Sequence, residues 1–155
     1  MTSKRKPYND RNDIERLETN WERTCSLMKA RQFSMAIVRS ATCAEIATNI
    51  VIRAELIQQR KLKAPFVDSL LIWANGIQGK FQRILLPLLK GTARGKEFGA
   101  LFTNVDRLNR ERNRVVHGGW ISDKKPAVEL VSLAKEICNQ IVEPYHRELK
   151  LLDFN

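Results

Sequence analysis

The chain has 155 residues, of which 43% are apolar and 28% charged, and its formal net charge is +10 at pH 7. That apolar content excludes a disordered chain, and the length suits a single domain with a buried core over residues 10–155, behind a basic segment 1–9 expected as a flexible tail. The cation excess points to a polyanion or an acidic protein as partner. No uninterrupted apolar run reaches the length of a membrane span and no signal-peptide pattern opens the chain, so the expectation is a cytoplasmic protein with no membrane partner.

Hydropathy spacing predicts a first helix over 10–29. Its stripe is Ile14, Leu17, Trp21, Thr24/Cys25 and Met28, with Asp10 or Asn12 as cap. A second helix is expected over 33–60. It is apolar on most sides between Ser40 and Ile52, as a central helix would be, and Glu45 is the only charged residue between Arg39 and Arg53. The run 61–65, which includes Pro65, breaks it. A third stretch over 66–89 keeps Val67, Leu70, Ala74, Ile77, Phe81, Ile84 and Leu88 in phase, while Gly76, Gly79 and Pro87 call for a kink or a split. Trp21 and Trp73 fall in apolar stripes and are expected in the core.

After a loop over 91–95, a fourth helix is expected over 97–117, followed by a loop carrying Trp120. A last helix starts near Pro126 behind Ser122 or Asp123, and Pro144 breaks it. No segment alternates as a strand does. The fold class is therefore all-α: an antiparallel helical bundle of four long helices plus one or two short extra helices. Cys25, Cys43 and Cys138 read as small core residues, and two widely separated histidines make no zinc set, so neither metal nor cofactor is expected.

The fourth helix carries the chemistry. Its stripe runs Phe98, Leu101, Val105, Leu108 and then Arg112, an arginine where the spacing asks for a leucine. A buried guanidinium is costly unless paired, so Arg112 serves a function, snorkels past the seam, or meets a core carboxylate. Glu45 is the candidate carboxylate that would hold Arg112 in place; it could equally face a polar gap beside Thr42 and Asn49. His117 follows Asn113 by four positions and shares its helical face, and Gly118-Gly119 suits a helix end. An imidazole can carry protons in catalysis, and a guanidinium fork suits phosphate oxygens. Arg107, Arg110, Arg114 and Lys124 would draw an RNA backbone to this place. Trp120 either stacks on a base or packs over the helix end.

Arg112-Asn113 followed by His117 resembles the Arg-x(4–6)-His signature of the HEPN superfamily, small all-helical domains that include many metal-independent endoribonucleases acting as dimers. The resemblance implies that Arg112, Asn113 and His117 form the catalytic set. RNA would be cut by its own 2′-hydroxyl to leave 2′,3′-cyclic phosphate ends, in a homodimer that brings two motifs together. It also implies a toxin or antiviral defence component restrained by an antitoxin-like or acidic partner. Where members paired with minimal nucleotidyltransferases carry a tyrosine two residues after the histidine, this chain has Gly119. The alternative is a non-catalytic HEPN-like module that binds RNA or protein.

Overall fold

Asn12 starts the first helix with a reciprocal cap. Its Oδ1 accepts from the Glu15 amide at 2.9 Å, and the Glu15 carboxylate accepts from the Asn12 amide at 2.9 Å. Two otherwise unpaired donors are satisfied in this way. In the computed structural model, which describes residues 5–154, this helix is α1, Asp13–Lys29. Residues 1–4 of the expected tail lie outside the described residues. Arg5 and Lys6 lie along α1, bonded to Glu22 and Glu15, and the Tyr8 hydroxyl accepts a hydrogen bond from Asn20 at 2.8 Å.

Helix α2, Phe33–Arg53, continues into wider π-helical turns over Ala54–Gln59. Twelve of its side chains are buried, on several faces, so no single neighbour can cover it. It packs against α1, against α6 (Ala93–Gly118) and against α7 (Lys124–Val142). The unit Phe33–Gln59 is long and apolar enough to cross a membrane by length and composition, contrary to expectation, and most of its apolar stretch is buried inside the protein. All regular elements among the described residues are helices.

The expected 66–89 stretch is split. Helix α3, Ala64–Trp73, ends at Ala74; α4, Gly76–Lys80, runs on through π-helical turns Phe81–Leu85 into α5, Leu86–Leu89. One expectation is corrected. The inner face of α3 is Val67 and Leu71, followed by buried Ala74, and Trp73 sits about 100° around the axis from Ala74. Trp73 is therefore 61% exposed, whereas Trp21 is in the core at 1%.

The expected break at Pro144 is found: α7 ends at Val142, and the Tyr145 and His146 amides turn back to its carbonyl. The remaining chain returns over α1, where the Trp21 indole donates to the Leu152 carbonyl at 2.7 Å.

One polar cluster bolts the far end of α2 in place. Glu55, buried in the first π-helical turn, accepts from Arg60 at 2.5 Å, from Arg94 at 3.4 Å and from the Tyr145 hydroxyl. It joins α2 to the start of α6 and to the segment after α7. Burial alone pushes the Glu55 carboxyl up, but Tyr145 and Arg60 outweigh it and hold it below its ordinary value. Burial and then Glu55 push the Tyr145 phenol up, so it remains a donor.

A lowered carboxyl contributes stability above its unfolded value and loses it as pH falls toward the folded one. Resistance to urea should therefore weaken from about pH 4.3 downward through this group. Glu55→Gln should remove that segment and cost about 2 kcal/mol at pH 7. A variant that follows the wild-type pH curve would assign the acid dependence to other groups.

Candidate active site

Thr92 caps α6 through the Gly95 amide at 3.0 Å, so the helix starts at Ala93, earlier than the expected 97. A Cβ at position 95 would collide with the Leu89 carbonyl, so the turn from α5 into α6 needs glycine there. From this start the stripe Phe98, Leu101, Val105 and Leu108 is buried as expected. Arg112 takes the next place and is only half-buried. Its Nη1 donates to Asn113 Oδ1 at 2.9 Å.

The helix ends as its glycines dictate. Gly119 is left-handed at φ 64°, and the Gly119 and Trp120 amides both return to the Arg114 carbonyl. His117 stands exposed in the last turn, one turn beyond Arg112–Asn113, and makes no hydrogen bond among the described residues. The Ser122 amide then donates to Ser34 Oγ at 2.9 Å, which ties the loop to the start of α2.

Glu45 does not meet Arg112. Its Oε1 accepts from Lys80 Nζ at 2.6 Å, and the Lys80 side chain is 6% exposed. Helices α2 and α6 run in opposite directions, with Arg94 against Glu55 at one end and Ser122 against Ser34 at the other. In this packing the Glu45 carboxylate is taken by Lys80 and not by Arg112. Arg112 has no carboxylate partner among the described residues. Asn113, expected to orient His117 or touch phosphate, instead holds the guanidinium.

The expected basic cluster is divided by its pairings. Arg107 bonds Glu129 at 3.3 Å, and Arg114 bonds Glu111 at 2.8 Å while its guanidinium lies 4.6 Å over the Trp120 ring. Trp120 is half-buried and packs against the core over the end of α6. Arg110 and Lys124 are exposed and have no carboxylate partner among the described residues. Five cavities of about 410 to 710 Å³ have other linings, apart from Lys124 in one of about 480 Å³ with Lys29 and Arg31. Arg112, Asn113 and His117 therefore stand outside these cavities.

Other chemistries find less support among the side chains. Burial pushes the Cys43 thiol up to about 12 and that of Cys138 well above its ordinary value, so both stay protonated at neutral pH. Among the described residues no three His, Cys, Asp or Glu side chains gather as a metal-ligating group. Sequence spacing missed Lys80 and the Glu55–Arg94–Tyr145 cluster. Lys80 lies beside the buried stripe Ile77, Phe81 and Ile84, and a lysine there gives no sign in the sequence that it is buried. The cluster joins residues far apart in the chain. Set against protein-family models, curated proteins and solved structures, the chain matches none.

Two stability measurements follow. Glu45→Ala strands a buried ammonium and should cost about 3 kcal/mol, largely recovered by adding Lys80→Met. Glu45→Ala and Arg112→Leu should be additive. A strong coupling between Glu45 and Arg112 in such a cycle would contradict the pairing of Glu45 with Lys80. Arg112→Leu alone should leave the melting temperature at or above wild type, since the stripe then continues with an apolar side chain.

Proposed function

We propose that this protein is a metal-independent endoribonuclease of the HEPN type. One observation carries the reading: a half-buried arginine without a carboxylate partner among the described residues, pinned by Asn113, lies five residues before an exposed imidazole at the end of the same helix. Half-burial keeps the positive charge of Arg112 poorly screened, and the absent carboxylate leaves its fork free for phosphate oxygens. The four long helices are read as the antiparallel bundle of that superfamily.

The chemistry follows from what RNA brings. The 2′-hydroxyl attacks the neighbouring phosphorus, the P–O5′ bond breaks, and a 2′,3′-cyclic phosphate and a 5′-hydroxyl result. His117 takes the 2′-proton or returns one to the leaving 5′-oxygen. Arg112 neutralises the extra charge of the pentacoordinate phosphorus. Asn113 fixes the direction of the fork. The exposed Arg110 and Lys124 collect the flanking phosphates. Such an activity fits a toxin or antiviral defence component held in check by a partner protein.

One histidine serves two proton transfers badly, and a single copy presents the motif on an open surface. A two-fold homodimer resolves both. Exposed Val116 and Ile121 flank His117, and the Ser122–Ser34 bond places exposed Met35 beside them, which supplies apolar surface for a second copy around the motif. The same open surface is what favours the second reading, a non-catalytic RNA- or protein-binding module. That module would shift RNA in a salt-sensitive way and leave it intact.

Purified protein should cut single-stranded RNA in EDTA, leave a 2′-deoxy substrate whole, and yield cyclic phosphate ends. His117→Ala should lower the rate by roughly 10²–10⁴, and Arg112→Lys should also fail because a point charge lacks the fork. Intact RNA with wild-type protein under these conditions would overturn the catalytic reading. In binding assays with the His117→Ala protein, Arg110→Ala should reduce the slope of log affinity against log salt by about 1. The already paired Arg107 should change it less.

A further inference from the structure

Helix α3 is apolar on the outside as well as the inside. Its sequence from Ala64 to Trp73 holds one charged residue, Asp68, and only Val67 and Leu71 are buried. Outward, Phe66 is 54% exposed, Ile72 80% and Trp73 61%, with Leu62 at 36% just before the helix. Phe66 and Trp73 are seven residues apart, so they share one stripe, and Ile72 extends the apolar surface at the C-terminal tip. A helix apolar all round is normally buried, and scattered exposure does not describe four large side chains on one short segment.

The charges around this ridge select what covers it. Exposed Lys61 and Lys63 precede the helix, and Arg83 lies 5.3 Å from the Trp73 ring centroid at its other end. None of the three has a carboxylate partner among the described residues. The one acid on the helix, Asp68, is bonded by Arg53 at 3.0 Å, and Arg53 also holds Asp13. Both ends of the ridge are therefore positive. Antiparallel pairing with a second copy would set Lys61 and Lys63 against Arg83 at each end, which opposes a two-fold contact here. An anionic bilayer meets both halves at once: headgroup phosphates receive the cations, and the acyl boundary receives Trp73, Ile72 and Phe66.

We infer that α3 lies in the interface of membranes rich in anionic phospholipid and holds the protein there peripherally. A helix lying flat at the surface needs no spanning run, so this reading does not depend on α2, whose apolar surface is taken up by its neighbours. It is also independent of Arg112 and His117.

The test is partitioning of the full-length protein onto vesicles of phosphatidylcholine with 30% phosphatidylserine, beside phosphatidylcholine alone, at 0.15 M salt. Affinity for the anionic vesicles should be at least tenfold higher. Trp73 emission should shift to the blue and be quenched by lipids brominated on the acyl chain, and Trp73→Phe should remove that signal. The charge-neutral pair Ile72→Ser/Trp73→Ser should lower affinity at least tenfold, while RNA cleavage and sedimentation stay as in wild type. Lys61→Gln and Lys63→Gln should each cost about fivefold on anionic vesicles. The inference is overturned if the vesicles do not bind, or if the serine pair binds them as wild type does, which would be adsorption by net charge. It is equally overturned if the serine pair turns a dimer into a monomer without vesicles, which would make α3 a contact between copies. Acyl-chain quenching that is present in wild type and lost with the conservative Trp73→Phe decides the matter even if the serine pair does not fold.

Discussion

Everything in this protein is arranged to cover α2. A helix with buried side chains on several faces cannot be satisfied by one neighbour, and burying apolar surface is the largest favourable contribution to folding. Helices α1, α6 and α7 supply those surfaces. Two polar contacts then set the register of α6 against α2: Glu55 grips Arg94 at one end, and Ser34 grips the loop after α6 at the other. Apolar packing alone tolerates sliding by a turn, whereas hydrogen bonds at both ends do not. The height at which Arg112 and His117 stand is a consequence of those two clamps.

The polar groups inside the protein divide into two kinds. Glu55 with Arg60, Arg94 and Tyr145, and Glu45 with Lys80, are closed sets whose charges answer one another, and they join helices distant in sequence. Arg112 is the opposite case. It occupies an apolar position, donates its hydrogen bond to a neutral neighbour and is left with unspent positive charge. A structural arginine would be expected to find an acid, as Arg53 and Arg60 do. Its incomplete pairing is the physical ground for reading the end of α6 as a site for phosphate chemistry rather than a stabilising contact.

Surface chemistry differs between the two ends of the helical array. Around the end of α6 the exposed apolar residues Val116, Ile121 and Met35 neighbour a histidine and arginines. Around α3, by contrast, aromatic and branched side chains project beside lysines and arginine, and the acid present is already neutralised. The same excess of cations thus borders two unlike surfaces. One sets guanidinium and imidazole groups beside a small apolar surface. The other offers hydrocarbon rimmed by charge. Net charge by itself could not have told them apart, because it carries no information about which apolar groups stand beside each cation.

Local spacing was enough to establish the helical class, the ends of α1, α2 and α7, the buried stripe of α6 and the glycine that stops it. Each of these follows from 3.6-residue periodicity, capping chemistry or the φ freedom of glycine, which act over a few residues. The odd arginine at position 112 was legible for the same reason. Partner choice was not. Glu45 was open to Arg112 by composition, but the antiparallel register of α2 and α6 and the split after Trp73 brought it Lys80 instead. Trp73 was expected in the core and emerged on the surface, because it sits about 200° around α3 from Leu71, while Ala74, Ile77, Phe81 and Ile84 keep the expected phase across the break. Periodicity determines which side chains share a helix face. Only the packing of whole helices decides what that face meets, since a one-residue change of phase turns a helix by about 100°.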